Sequence, residues 1–202
     1  MSEIVKATAS PPLQDVSSRG GRRPRVLVST IMISSGGVHT MTGFVVGALM
    51  RLGFQPVIAN YQPYSQSPEL SVPSFRFLQR TVKSVQATAY GGCEAHSIGA
   101  WLPELEFTHY HATRHWRSLI ESCDAFVSVS GNILAATAFY QAHRPFVSWV
   151  ATDWEGDRKD RVRQFSLPRK LLDQGLNSLV IRRLERKLLN AGTVLSLSDY
   201  TA

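Results

Sequence analysis

Arg25-Val-Leu-Val-Ser-Thr-Ile-Met-Ile-Ser-Ser-Gly-Gly-Val-His39 is the stretch on which the reading of the whole chain turns. Residues 26–31 are apolar and partly β-branched, as expected of a short strand buried on both faces. The strand runs into Ser34-Ser35-Gly36-Gly37, a tight loop. A helix is predicted directly afterwards, because Val38, Met41, Val45, Leu49 and Leu52 recur at offsets of three and four and define one apolar face. Gly53 stands where a helix end favours a left-handed residue. Pro56-Val-Ile-Ala-Asn60 then reads as a second strand. Such a β-loop-α-β unit, with parallel strands and a right-handed crossover, is the usual opening of a doubly wound sheet.

Outward from this unit, residues 62–74 are rich in Pro, Ser and Gln and predict a surface loop. Residues 82–90 alternate apolar and polar, Gly91-Gly92 signals a turn, and residues 95–101 predict the returning strand of a hairpin. A helix over 110–122, a strand over 124–129, a helix over 133–142 and a strand over 145–150 restore the α/β alternation. Residues 153–167 are too charged to be buried and predict an irregular surface segment. A longer helix follows with Leu176, Leu179, Val180, Leu184 and Leu188 on one face, closing at Ala191-Gly192 before a last strand over 193–197. The expected fold class is therefore α/β, a Rossmann-like, doubly wound, mostly parallel sheet with a β-hairpin insertion, formed by one domain over residues 25–202. Residues 1–24, rich in Ser, Pro, Gly and Arg, predict a disordered basic tail. No helix follows the last strand to cover it, so the end of the chain reads as a truncation.

Bulk composition narrows the class but not the function. The 202 residues, 44% hydrophobic, suffice for one good core. The longest apolar run, 44–50, holds seven residues against the about 20 needed to span a bilayer, and the first residues lack the apolar stretch of a secretory signal. A cytoplasmic protein is expected. Cys93 and Cys123 show no metal-type spacing and are expected to stay reduced. The net charge of +7 gathers at Arg22, Arg23 and Arg25, at 158–163 and at 182–187. Such clusters suit nucleic acid, anionic lipid headgroups or diphosphate-bearing ligands, and solvated helix faces equally well.

Candidate sites gather at the ends of strands. Gly36 and Gly37, between the first strand and a helix N-terminus, are placed for phosphate or sugar oxygens, where backbone N–H groups and the helix dipole favour anions; a turn that merely needs glycine is the plainer alternative. The loop is neither a P-loop nor a Gly-x-Gly-x-x-Gly fingerprint, and Asn60 stands where a nicotinamide enzyme places an acid, so NAD is rejected. His111 and His115, four apart, form a pair with no third metal ligand at a recognisable spacing, and Cys93 with His96 is similarly incomplete; a polar surface reading is preferred and no metal is expected. Asp153, Glu155, Asp157 and Asp160 resemble the start of a calcium loop, but Arg158 and Gln164 occupy the positions that need glycine and glutamate. Following a strand at the carboxyl edge of the sheet, Asp153 is a candidate base or acceptor-orienting carboxylate and equally a solvated loop acid. Ser130-Gly131-Asn132 ends the preceding strand in the same crevice and offers polar donors; helix capping by Asn132 or Ser130 is the structural alternative, and both hold together.

Three stretches taken together resemble the glycosyltransferases of the GT-B fold, in particular the retaining family 4 and its relatives. The first is residues 26–39 with Leu49-Met-Arg-Leu-Gly-Phe-Gln-Pro-Val-Ile58, similar to that family's opening strand, Gly-Gly loop, helix and second strand. The second is Cys123-Asp-Ala-Phe-Val-Ser-Val-Ser-Gly131 with Pro145-Phe-Val-Ser-Trp-Val150, similar to its paired strands at the inter-domain cleft. The third is Leu184-Glu-Arg-Lys-Leu-Leu-Asn-Ala-Gly-Thr-Val-Leu-Ser-Leu-Ser-Asp-Tyr-Thr-Ala202, similar to its final helix, strand and Ser-x-Tyr-Thr element. The resemblance spans roughly residues 25–202 and implies the amino-terminal, acceptor-side half of such an enzyme, in which a second domain with a Glu-x7-Glu element holds a nucleoside diphosphate sugar. It implies that Gly36 and Gly37 approach the donor diphosphate or the acceptor, with His39 close by in no defined role. Many members carry a histidine after the strand matched by residues 145–150; here Ala151-Thr152-Asp153 stands instead, which leaves Asp153 as the tentative catalytic group and Thr152 beside it as a binding residue. The implied partners are a nucleotide-sugar donor, a carbohydrate or lipid-linked acceptor and a peripheral contact with an anionic membrane at its inner face, with no nucleic acid and no cofactor. Two other readings remain at this point: a non-catalytic α/β module docking on an anionic lipid or protein, and a nucleotide-sugar epimerase-like enzyme.

Overall fold

A computed structural model describes residues 22–31, 36–76, 78, 81–152, 175 and 177–196. The predicted tail over residues 1–21, Ser34 and Ser35, the charged stretch that includes Asp153, Leu176 and residues 197–202 lie outside the described residues.

The sheet has seven strands: β1 (Arg25–Thr30), β2 (Gln55–Tyr61), β3 (Ser84–Ala89), β4 (Cys93–Ile98), β5 (Ala125–Ser130), β6 (Val147–Val150) and β7 (Thr193–Ser196). Their spatial order is β3-β4-β2-β1-β5-β6-β7. Every neighbouring pair is parallel except β3 with β4, the hairpin, which is antiparallel. The architecture is thus Rossmann-like, with the hairpin strand at one edge. Among the described residues the α-helices are α1 (Gly37–Arg51), α2 (Arg114–Glu121), α3 (Thr137–Gln141) and α4 (Ser178–Ala191). Among the described residues, no helix is long and apolar enough to cross a membrane.

Strand alternation divides the core between the two faces of the sheet. On one face Val28, Ile58, Ala95 and Val129 pack with Met41 and Val46 of α1. On the other, Leu27, Val57, Ala59 and Phe126 pack with Trp116 of α2, Phe139 of α3 and Ile181 and Leu188 of α4. A parallel sheet needs both faces covered, and a continuous apolar strand such as β1 is what that geometry demands.

The apolar faces predicted for the helices hold in part: Met41 is buried in α1 with Val45 and Leu49 packed against the same core, and in α4 Leu188 is buried with Leu184 packed against the core. In α1 the fully buried positions are Thr42 and Val46, while Leu52 lies beyond the helix end and is 57% exposed. Thr42 joins this face because its hydroxyl is satisfied internally, 2.8 Å from the Val38 carbonyl and 2.9 Å from the Thr30 hydroxyl, so a polar residue takes a core position. In α4 it is Ile181 and Leu188 that are buried, and Leu179 points outward at 73% exposure. The helix predicted over 110–122 begins only at Arg114, because Tyr110 and Ala112 are drawn into the core before it.

Residues 62–74 are not purely a surface loop. Leu70, Ser71 and Val72 are almost fully buried alongside the segment that follows β4. Val72 N–H donates to the Ala100 carbonyl at 2.9 Å, Leu102 N–H to Val72 at 2.8 Å, and Ala100 N–H to the Ser71 hydroxyl at 2.9 Å. These bonds tie a polar-looking segment into the protein and fix the wall of the cavity described next.

Candidate functional site

Strand order decides where a crevice forms. Chain connections leave β1 toward β2 on one side and β5 toward β6 on the other, so the loops at the carboxyl ends of β1 and β5 diverge. A cavity of about 690 Å³ opens at that switch point. Ile31 after β1, Tyr61 at the end of β2 and Ser130 at the end of β5 form its floor, and Gly131, Asn132 and Leu134 continue one side. Pro63, Tyr64, Pro73 and Phe75 from the 62–76 connection, with Glu104, Glu106, His109 and Tyr110 after β4, complete the wall.

The aromatic part of the wall is ordered by stacking. The His109 ring lies parallel to Tyr61, with centroids 4.3 Å apart and planes at 9°. Tyr110 packs against both Tyr61 and the buried Trp116. One ring nitrogen of His109, Nε2, lies 3.1 Å from the Pro103 carbonyl, which holds the ring's orientation. Glu104 is anchored through Oε1, which accepts from the Ser74 amide at 3.0 Å and from its hydroxyl at 3.2 Å.

Ser130-Gly131-Asn132, singled out from the sequence, borders this cavity. The Asn132 side-chain oxygen accepts from Leu134 N–H at 3.1 Å, so the capping role is present. Ser130 is 1% exposed and its hydroxyl has no hydrogen-bond partner among the described residues. Thr152 is brought to the same rim: its amide donates to the Gly131 carbonyl at 2.7 Å.

The glycine pair sits where the sequence places it, after β1 and at the start of α1. Gly36 has φ 112° and ψ 179°, a conformation essentially restricted to glycine. Among the described residues no side chain caps this end of α1. At Gly37, which is helical, φ makes no such demand, and a Cβ there would meet nothing within 4 Å. Val38 borders the cavity. His39 is not among the lining residues: its Nδ1 is 2.9 Å from the Tyr90 hydroxyl, in the turn between β3 and β4. Burial raises the Tyr90 phenol above its ordinary pKa, and the ring rests against Gly43.

The histidine clusters disperse. His115 is engaged by the Ser84 hydroxyl at 3.0 Å and the Val82 carbonyl at 3.0 Å. His96 pairs with Glu94 at 2.7 Å at the opposite, amino end of the sheet, where Glu94 also meets Arg25 at 2.7 Å. Burial first, and then Arg117, hold His111 below the usual imidazole pKa. Among the described residues no three of His, Cys, Asp and Glu are grouped to hold a metal.

Tyr61, Glu104, Glu106, His109 and Tyr110 were not nominated as site residues by sequence reading. Tyr61 was the most accessible, since it follows Asn60 at the carboxyl end of a parallel strand, where open α/β sheets bind ligands. The others have no local signal. Comparison with protein-family models, curated proteins and solved structures finds no match to this chain.

Proposed function

We propose that this chain is the acceptor-side domain of a sugar-nucleotide-dependent glycosyltransferase of GT-B type, moving a hexosyl group to an acceptor hydroxyl. The observation that carries the reading is the cavity at the carboxyl rim of β1, β2 and β5, with the uncapped N-terminus of α1 and its glycine-only Gly36 beside it. Free N–H groups at a helix start stabilise negative charge, as the departing diphosphate requires. Open space at Gly37 leaves room for a ligand to approach the backbone closely. The acceptor occupies the cavity. The donor is contributed by a second domain carrying the Glu-x7-Glu element, and the glycosyl group passes through an oxocarbenium-like state. Ser130, Gly131, Asn132 and Thr152 frame the acceptor side of that reaction, and Asp153 is the candidate base. The basic clusters give the domain its peripheral contact with an anionic membrane face.

The test compares this chain with the full gene product against a panel of labelled nucleoside diphosphate sugars. The expected result is negligible transfer by this chain alone, and transfer by a product with the second domain that Gly36→Val suppresses. Equal turnover by both proteins refutes the division of labour. Nicotinamide binding, or a full gene product without transfer, refutes the reaction.

A further inference from the structure

The chain carries a net charge of +7, yet the described lining of its cavity is acidic. Among the described residues lining it there are two carboxylates, Glu104 and Glu106, and neither lysine nor arginine. Arg76, beside the lining residue Phe75, is engaged with that ring, its guanidinium carbon 5.2 Å from the centroid. A site built for a phosphate or carboxylate places cationic donors in its lining, because a dianion beside two carboxylates meets repulsion that a partly desolvated cavity amplifies.

We infer that the cavity takes a saccharide ring bearing neither phosphate nor carboxylate, with its hydroxyls met by Ser130 and Glu104 and its C–H face laid on the aromatic wall. Calling that ligand the acceptor rests on the transferase reading; the ligand class itself does not. Two independent features point to it. The first is a pair of polar atoms without partners among the described residues. The Ser130 hydroxyl is buried at the floor and unpaired. So is Glu104 Oε2, although Oε1 of the same carboxylate is anchored by Ser74. Burying such groups unpaired costs stability, most of all for a carboxylate, a cost that a ligand hydroxyl removes. A hydroxyl both donates and accepts, so it satisfies a carboxylate as donor and a serine in either sense, whereas a phosphate oxygen only accepts.

The second feature is the aromatic surface. Tyr61 and His109 are locked in a parallel stack, and Tyr64 and Phe75 remain 37% and 69% exposed at the mouth. Ring faces are electron-rich and attract the weakly positive C–H face of a sugar. Exposed aromatics at the rim of a concave site are the anchors expected of a ligand pocket.

The experiment titrates the 202-residue chain with methyl α-glucopyranoside, glucosamine and glucose 6-phosphate at constant ionic strength, following amide resonances by NMR. The neutral glycoside and the amino sugar are expected to shift Tyr61, His109 and Ser130, with glucose 6-phosphate at least ~10-fold weaker, about 1.4 kcal/mol. The Glu104→Gln/Glu106→Gln double variant is expected to lose most of that discrimination, while the carboxamide introduced at position 104 retains an acceptor oxygen for Ser74; an unchanged melting temperature verifies that it folds. Glucose 6-phosphate binding as tightly as the glycoside in the unaltered chain overturns the inference, as does the absence of cavity shifts with all three probes. Cavity shifts by the glycoside together with a full gene product that transfers no sugar support this ligand class and refute the transferase reading alone. Transfer by the full gene product to phosphorylated sugars in preference to neutral ones overturns this inference alone.

Discussion

Replacing Gly99 by alanine is expected to be among the most damaging single-methyl additions in this protein. The residue follows β4, and a Cβ built on it collides with the carbonyl carbon and oxygen of Leu70 and with the Ser71 amide nitrogen, all backbone atoms. No rotamer change relieves such a contact, so the 70–72 segment must move. The Leu70 carbonyl is also the acceptor of the Lys83 amide at 2.9 Å, and Gly99 N–H itself donates to Lys83 at 3.2 Å, so displacement strains the bonds leading into β3 as well. Overpacking costs typically about 1–3 kcal/mol and a broken backbone hydrogen bond about 1 more, which gives an expected loss of about 2–4 kcal/mol. For a protein of this size that corresponds to a fall in Tm of roughly 4–16 °C. Gly192→Ala is the control: the three atoms nearest its Cβ all belong to the Phe146 side chain rather than to backbone, and a ring can tilt, so its loss is expected to be smaller. Thermal unfolding followed by circular dichroism measures both. Because residues 70–73 carry Pro73 and lead to Phe75 in the cavity wall, Gly99→Ala should also weaken glycoside binding. A melting temperature within about 1 °C of the unaltered chain, or a larger fall for Gly192→Ala, would refute the reasoning.

Two serines of β5 should respond in opposite ways. Ser128→Ala breaks the buried 2.6 Å bond to Ser148 and strands that hydroxyl, for an expected loss of about 1–3 kcal/mol in urea unfolding, whereas Ser130→Ala removes a hydroxyl with no partner among the described residues and is expected to be neutral or slightly stabilising in the unliganded chain. Equal losses would count against both assignments. His111 titrates below the ordinary imidazole value, so its folded pKa lies under its unfolded one; its contribution to stability is present above about pH 6.5 and is lost as the pH falls through the depressed folded value. His111→Asn should flatten that part of the stability profile, and an imidazole resonance titrating above the unfolded value would contradict the assignment.

Much of the fold is written locally. Apolar β-branched runs separated by glycine and by a helical repeat state β1, α1 and β2 within residues 25–61, and Gly91-Gly92, at φ 81° and 97°, states the hairpin turn. What sequence reading missed is of one kind. The buried faces of α1 and α4 also take in Thr42, Val46 and Ile181 and leave out Leu52 and Leu179, because a helix turns inward whichever residues best complete the neighbouring core, and a threonine qualifies once its proton goes to the Val38 carbonyl and Thr30 donates to its oxygen. The burial of residues 70–72 needed partners at Lys83, Ala100 and Leu102, which a Pro- and Ser-rich segment does not announce.

The candidate site divides along the same line. Gly36, Gly37 and Ser130-Gly131-Asn132 were legible because strand ends and helix starts are local features, and a parallel sheet sends them all to one rim. The remaining wall, Tyr61, Glu104, Glu106, His109 and Tyr110, exists only because β2 and β4 pair side by side, which carries the segment after β4 over the end of β2. Sequence by itself determined which elements form and in what order, since those follow from short-range sterics and periodic burial. Tertiary structure alone decided which side chains share the cavity and that its described lining is acidic within a basic protein, because both depend on contacts between residues far apart in the chain, brought together by burial of the common core.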